Sequence, residues 1–187
     1  MSQVRFSTVQ DLFEAYPTAA NDVGKAETGM RSLDFLRGLV DRRDWPHAVS
    51  FCAYLLPKRA AVAWGCRSLR RMVERFDSNE DRAISFAEAW VDEPGEATRG
   101  KALAVGNMND HRSPTTWVAL AAGWSGGSVV PAEFDPIEAR PEQTARAVRA
   151  ALLIGLSGLT GDARARVMTA CLEDGIHIAR GEPRSLR

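Results

Sequence analysis

The sequence predicts an all-α protein, an irregular multi-helix bundle of roughly six to eight helices in one domain over residues 1–187. Apolar residues recur at helical spacing along most of the chain. Pro, Ser and Asp stand where such helices begin, and no period of roughly 34 or 40 residues marks a repeat array. The length of 187 residues fits one domain, at about 100–200 residues each.

The composition excludes several classes of protein. The chain holds 24 Lys and Arg against 24 Asp and Glu, so its formal net charge is zero. Dedicated nucleic-acid binders usually carry a basic excess, and charge-driven disordered chains carry a large net charge. The N-terminus lacks a secretory apolar core, and the apolar stretch 150–159 is about half the length that spans a bilayer. We therefore expect a cytoplasmic protein that binds neither nucleic acid nor membrane.

Residues 1–29 are predicted to form a short helix and a loop. Ser7 and Gln10 have the spacing of a capping box, and the helix after them runs to about Pro17. Residues 18–29 are small and polar and include glycine, which favours a loop.

Two helices follow this loop. The first presents an apolar stripe formed by Met30, Leu33, Leu36 and Val40. The second is expected to be capped by Asp44, with Pro46 at an early position that tolerates proline.

The strongest helical pattern opens at Pro57 and continues to Phe76. It is apolar over so much of its circumference that it predicts a central helix. Lys58 and Arg59 lie at its N-terminus, where the helix dipole disfavours cations, so we expect them to reach a carboxylate elsewhere.

Further helices complete the predicted bundle. Ser78 is expected to cap the next one, and residues 92–95 end it. A shorter helix covers about 96–108, and Ser113 with Pro114 begins one that ends at Trp124. Two long helices lie near 145–159 and from about 162 to 179.

Residues 125–141 differ in kind, since they contain two glycines and three prolines without a helical period. They predict an extended, ordered surface segment, and a short strand at Val129–Val130 is compatible with the pattern. The tail, residues 181–187, is expected to be disordered.

The residue chemistry points to no catalytic or metal site. Cys52, Cys66 and Cys171 are odd in number and lack CxxC spacing, which favours buried free thiols over disulfides or zinc. No GxSxG nucleophile motif is present. We expect a non-enzymatic protein without a cofactor or metal.

The turn WSGGS is the most unusual local feature, and two interpretations of it stay open. Its backbone N–H groups could form an anion nest, or its glycines could simply cap a helix, which is their commoner role. Trp124 is the best candidate for a partly exposed aromatic anchor, whereas Trp90 and Trp117 are expected in the core. The turn consists of Trp124, Ser125, Gly126, Gly127 and Ser128.

A group of arginines is the other candidate binding feature. It could bind an acidic partner, or it could be a solvated helix face with an Arg70–Glu74 pair. The candidates for partner contact are Arg59, Arg67, Arg70 and Arg71.

Several stretches resemble an uncharacterised bacterial domain family found in proteobacterial genomes. The specific blocks are LPKRAAVAWGC at residues 56–66 and WSGGS at 124–128. The family more often has a glutamate and a second tryptophan where this chain has Ala60 and Ala63. The resemblance implies an association with type VI secretion genes and a role as chaperone or adaptor for an effector or spike component. It carries over no catalytic residue.

Three functional hypotheses follow. The leading one is a protein-interaction module that binds a secretion partner through the WSGGS turn and the segment to Pro141. The second is an anion- or small-molecule-binding, enzyme-like domain that combines the glycine nest with Arg59 or Arg67. The third is an immunity protein, which would need a surface patch of one charge sign.

Overall fold

The protein is described by a computed structural model over residues 4–27, 29–130 and 134–182. Within these ranges the regular structure is helical, apart from isolated antiparallel bridges at Thr8–Arg31 and Ser128–Glu138. The all-α prediction is confirmed, and the described residues form ten helices in place of six to eight. They are α1 Val9–Ala15, α2 Ala19–Val23, α3 Ser32–Asp41, α4 Trp45–Leu55, α5 Lys58–Met72, α6 Ser78–Asp92, α7 Glu96–Met108, α8 Pro114–Gly123, α9 Gln143–Ser157 and α10 Gly161–Ala179.

The N-terminal segment differs from its prediction in two places. Thr8, not Ser7, caps α1: its hydroxyl accepts from Asp11 N at 3.2 Å, and the Asp11 carboxylate accepts from Thr8 N at 2.9 Å. A carboxylate is the stronger partner there because it also meets the positive end of the helix dipole. The expected loop over 18–29 contains α2, whose Ala19 and Val23 are buried one helical turn apart.

Two further predicted caps differ from the structure, one in its chemistry and the other in its position by one residue. Asp44 is the N-cap of α4, yet its side chain accepts from His47 Nδ1 at 2.8 Å and does not cap the helix. The cap of α6 is Asp77, not Ser78, and its carboxylate accepts from Glu80 N at 2.9 Å. Glu80 completes the box by accepting from Asp77 N at 3.1 Å.

Helix α5 lies at the centre, packed against α6, α8, α9 and α10. Trp64 is fully buried, and its Nε1 donates to Cys171 O of α10 at 2.7 Å. The helix ends at Met72, one turn earlier than predicted, because Val73 is extended. Val73 and Phe76 still pack against the core from beyond the helix end.

The three cysteines are buried free thiols, as predicted. Burial raises the pKa of Cys52 and of Cys66 well above the ordinary thiol range.

In the described part of the chain, no helix is long and apolar enough to cross a membrane. Disorder was expected over residues 181–187, but Gly181 N donates to Ile178 O at 2.9 Å and Glu182 N donates to His177 O at 3.2 Å. Residues 183–187 lie outside the described residues.

Candidate interaction surface

The WSGGS turn ends helix α8. Trp124 is the C-cap residue, and its N–H donates to Leu120 O at 2.7 Å. Ser125 N donates to Ala122 O at 3.2 Å, and Gly127 has a φ of 57°. That left-handed conformation favours glycine. The turn therefore has the geometry of a glycine-containing helix end.

Arg99 of α7 binds the backbone of the WSGGS turn and of the residue before it. It is 8% exposed, and its guanidinium donates to Gly123 O at 2.7 Å and to Ser128 O at 2.9 Å. The same guanidinium donates from Nε to Glu96 Oε2 at 2.7 Å. A Cβ on Gly127 would lie 3.2 Å from Arg99 Nη2, so the arginine also explains this glycine.

Sequence reasoning missed Arg99, although one local signal was available. Glu96 and Arg99 have the i,i+3 spacing of a helical ion pair. The hydrogen bond between them raises the pKa of Arg99 and lowers the pKa of Glu96. Glu96 therefore gives the buried guanidinium an opposite charge beside the carbonyl oxygens to which it donates.

Lys58 and Arg59 reach carbonyl oxygens, so the expectation of a carboxylate partner is wrong. Lys58 Nζ donates to Ser125 O at 2.9 Å, and burial lowers the pKa of Lys58, with a smaller effect from Arg5. Arg59 Nε donates to Val91 O at 2.6 Å, near the end of α6. The N-terminus of α5 lies beside the C-terminal ends of two helices, and those negative dipole ends attract the two cations.

These contacts set the polarity of the turn. An anion nest presents N–H groups to its ligand, whereas here the carbonyls of Gly123, Ser125 and Ser128 accept from cationic side chains. The cationic side chains that donate to these carbonyls are those of Lys58 and Arg99. The arrangement therefore favours the helix-cap interpretation over the anion nest.

The predicted extended segment folds back on itself. Val129 N donates to Ile137 O at 2.8 Å, and Ala139 N donates to Gly127 O at 2.9 Å. The Ser128 hydroxyl accepts from Ile137 N at 3.3 Å. The sequence pattern allowed a short strand at Val129–Val130. In the described part of residues 125–141 there is instead a single antiparallel bridge between Ser128 and Glu138. Residues 131–133 lie outside the described residues.

Trp124 is partly exposed, as predicted, and also packs against the core. Its ring meets the Trp117 ring edge-on, with centroids 6.3 Å apart, and its Nε1 is buried. Trp90 is buried and Trp117 is partly buried, with its Nε1 donating to His111 O at 2.8 Å. The large apolar side chains exposed within the described ranges are Met108 at 78%, Phe134 at 62% and Ile137 at 58%.

The arginines of α5 engage partners within the chain. Arg70 binds Glu88 of α6 through Nε and Nη2, at 2.6 and 2.7 Å, so the predicted pairing with Glu74 is replaced. Arg71 Nη1 donates to Asp174 of α10 at 2.7 Å. Arg67 lines a cavity of about 420 Å³ between α5 and α6.

The predicted site residues therefore lie apart. Lys58 donates to the turn at Ser125 O, whereas Arg59 donates to Val91 O near the end of α6. Arg67 lies nine residues after Lys58 along α5, which is roughly 13 Å at 1.5 Å per residue. The structure does not gather the arginines and the glycine turn into one site. Whether any of these residues contacts a partner stays a prediction.

An apolar groove runs beside the folded-back segment, and we name it the α7 groove. Its volume is about 310 Å³. A Cβ on Gly100 would meet nothing within 4 Å, so the floor is open. Met108 continues this helix face, one turn beyond Ala104. The groove is lined by Gly100, Leu103, Ala104, Asn107, Ser128 and Val130, with Glu96 and Arg99 at one end.

Within the described residues, no group of three or more His, Cys, Asp or Glu side chains has a metal-binding arrangement.

No curated protein and no solved structure matches this chain. A family described as a family of unknown function, DUF6931, matches residues 35–179, which include both the LPKRAAVAWGC block and the WSGGS turn. Because that match covers well over half of the sequence, the chain belongs to the DUF6931 family of unknown function.

Proposed function

We propose that this chain is a non-enzymatic, cytoplasmic protein-interaction module. The observation that carries the proposal is the apolar α7 groove together with two exposed apolar residues: Ile137, whose N–H donates to the groove-lining Ser128, and Phe134, three residues before it. Exposed apolar side chains next to an apolar groove are typical of a surface that another protein covers.

We propose Phe134 and Ile137 as the anchors of this surface in place of Trp124. Trp124 is held against Trp117, whereas Phe134 and Ile137 project from the folded-back segment. The bonds of Arg99 and Ser128 hold the base of that segment. An anchor on a restrained loop loses little conformational entropy when it binds.

The finer role that we propose is that of a type VI secretion accessory, a chaperone or adaptor for an effector or spike component. Its support is the resemblance of the LPKRAAVAWGC and WSGGS blocks, together with a surface suited to a protein partner. The anion-binding alternative loses its support at the turn, whose carbonyls face Lys58 and Arg99. The immunity alternative, which needs a surface patch of one charge sign, is also less well supported, since Arg70 and Arg71 are paired with the carboxylates of Glu88 and Asp174.

Co-purification from the native operon tests this proposal. We expect the tagged chain to bring down a type VI component, identified by mass spectrometry, and the double variant Phe134→Ser, Ile137→Ser to lose it. Ala89→Arg, on an exposed position of α6, is the control and should keep the partner. A chain that comes down alone from the operon, or a double variant that still captures the component, would overturn the proposal.

A further inference from the structure

We propose that Arg146 and Arg149 of α9, which we name the arginine pair, bind a carboxylate carried by an acidic side chain of a protein partner. This site goes beyond the proposed function, because neither arginine lines the α7 groove. The observation behind it is that each guanidinium group is fixed at Nε and, within the described part of the chain, has no hydrogen-bond acceptor at its Nη atoms.

The Nε atoms of the arginine pair are held by groups from α2 and α4. Arg146 Nε donates to Tyr54 OH at 3.2 Å and to Asp22 Oδ2 at 3.3 Å. Arg149 Nε donates to the Ser50 hydroxyl at 2.7 Å. Residues three apart on a helix are neighbours on its surface. These bonds therefore fix two adjacent guanidinium groups in place before any ligand arrives.

The Nη atoms are the part of the pair that the fold leaves available. Arg149 Nη1 lies 3.9 Å from Asp22 Oδ1, which is too long for a hydrogen bond. The side chains of Arg146 and Arg149 are 42% and 33% exposed, so a ligand can reach them from solvent. A guanidinium presents its N–H donors as a planar fork that matches the two oxygens of a carboxylate.

The charges in this contact network leave one positive charge in excess. The arginine pair supplies two cations and Asp22 supplies one carboxylate. Tyr54 stays neutral, because burial raises the pKa of its hydroxyl. A carboxylate balances this excess with its single negative charge, whereas a phosphate dianion would exceed it and would be repelled by Asp22. The network therefore favours a carboxylate over a phosphate.

Two further carboxylates on the same elements do not neutralise the pair. Glu142 precedes α9, one turn before Arg146, yet the carboxylate within ion-pair distance of Arg146 among the described residues is that of Asp22. Asp44, at the start of α4, accepts from His47 Nδ1 at 2.8 Å. The excess positive charge therefore remains at the arginine pair.

The exposure of the pair indicates where its carboxylate comes from. A single ion pair at an exposed site adds little affinity, because water screens the charges and side-chain entropy is lost. A free small acid would gain only that interaction, whereas an acidic side chain on a protein brings further contacts in the same binding event. We therefore assign the site to a protein-borne carboxylate.

Magnetic resonance of the isotope-labelled full chain tests this assignment. The probe is a blocked peptide of alternating glutamate and glycine, and the same peptide with glutamine is its neutral match. We expect the glutamate peptide to shift the Nε–H signals of Arg146 and Arg149 in a saturable way, and the glutamine peptide to leave them unchanged. Added salt should weaken the binding.

A matched pair of variants tests the role of the arginines. Arg149→Gln should weaken binding of the glutamate peptide by about threefold or more, as expected when one exposed charge is removed. Arg82→Gln, at an exposed position of α6, is the control and should bind like the wild type. Thermal unfolding of each variant checks that the helices remain intact.

Asp22→Asn separates a binding site from a network that only stabilises the fold. The asparagine keeps an oxygen for the Tyr54 hydroxyl and removes the negative charge that competes with a ligand. We expect the glutamate peptide to bind this variant about threefold more tightly. Inorganic phosphate should gain by a larger factor, because a dianion benefits more from the lost repulsion.

Three results would overturn the site: a wild type without saturable shifts, an Arg149→Gln variant that binds as tightly as the wild type, or an Asp22→Asn variant that binds no more tightly. Succinate serves as the free small acid. Succinate that binds as tightly as the glutamate peptide would contradict a carboxylate carried by a protein.

Discussion

Arg99 shows how one side chain organises the distinctive part of this molecule. It lies beneath the WSGGS turn and donates to two carbonyls 29 and 24 residues away in sequence, Ser128 O and Gly123 O. Hydrogen bonds from a charged donor stabilise a fold more than neutral ones do. One guanidinium therefore contacts the end of α8, the left-handed Gly127 and the first residues of the folded-back segment.

The Glu96–Arg99 pair predicts an acid-sensitive turn. Arg99 lowers the pKa of Glu96 below its ordinary value of 4.5. The stability from this shift is present above the ordinary value and is lost as the pH falls through the lowered pKa of the folded state. We expect Glu96→Gln to lower the melting temperature at neutral pH and to match the wild type in acid.

Melting temperatures from neutral to acid pH measure this effect. Glu93→Gln, at the exposed end of α6, is the control because it leaves Arg99 untouched. A Glu96→Gln deficit that stays constant across the whole pH range would show that the lost contribution is not ionic.

At the scale of elements, glycines set how closely α7 and α8 approach. A Cβ on Gly123 would lie 2.8 Å from Leu103 Cα, a backbone atom that cannot turn away. A Cβ on Gly106 would meet the Leu120 side chain at 2.7 Å. The two helices therefore pack with glycine of each against leucine of the other.

Two glycine-to-alanine variants separate packing from helix propensity. Gly123→Ala should lower the free energy of unfolding by about 1–3 kcal/mol, because the helices must move apart. Gly100→Ala, on the open face of α7, should raise it by about 0.5–1 kcal/mol through better helix propensity. Urea unfolding measures both, and equal effects of the two substitutions would contradict this account.

The boundaries of the helices were harder to predict than their existence. Apolar periodicity placed α3 to α10, because burial on one helix face leaves a local pattern. The caps at Thr8 and Asp77 were each missed by one residue, since neighbouring Ser and Thr or Asp residues offer similar acceptors. The chain's entry direction selects between them, and that direction depends on tertiary packing.

At the scale of the whole molecule, the N-terminal helices dock on the body through a polar network. Tyr54 OH donates to Asp22 Oδ2 at 2.7 Å, and Arg146 Nε donates to Tyr54 OH at 3.2 Å. Arg149 donates to the buried Ser50 hydroxyl at 2.7 Å, and its Nη1 lies 3.9 Å from Asp22 Oδ1. Burial, followed by the bond to Asp22, raises the pKa of Tyr54. This network joins α2, which precedes the DUF6931 match, to α4 and α9 within it.

Removing the carboxylate of Asp22 should weaken the packing of α2 against α4 and α9. We expect Asp22→Asn to cost about 1–3 kcal/mol, because its hydrogen bonds to charged groups weaken. Hydrogen exchange should rise in residues 9–23 more than in α5. Asp41→Asn, at the exposed end of α3, is the control. A uniform rise over all helices would show a global effect and contradict a local docking role.

The sequence by itself determined the all-α class, the positions of most helices and the buried state of the three cysteines. These follow from the periodicity of apolar residues, which is a local property of the chain. Only the tertiary structure decided the partners of Arg99, Lys58, Arg59 and Arg70, and the fold-back of the segment after the turn. Lys58 and the Ser125 carbonyl that it binds are 67 residues apart, and no local pattern encodes such a contact. Helix packing brings those atoms together, and it thereby set the chemistry of the WSGGS turn.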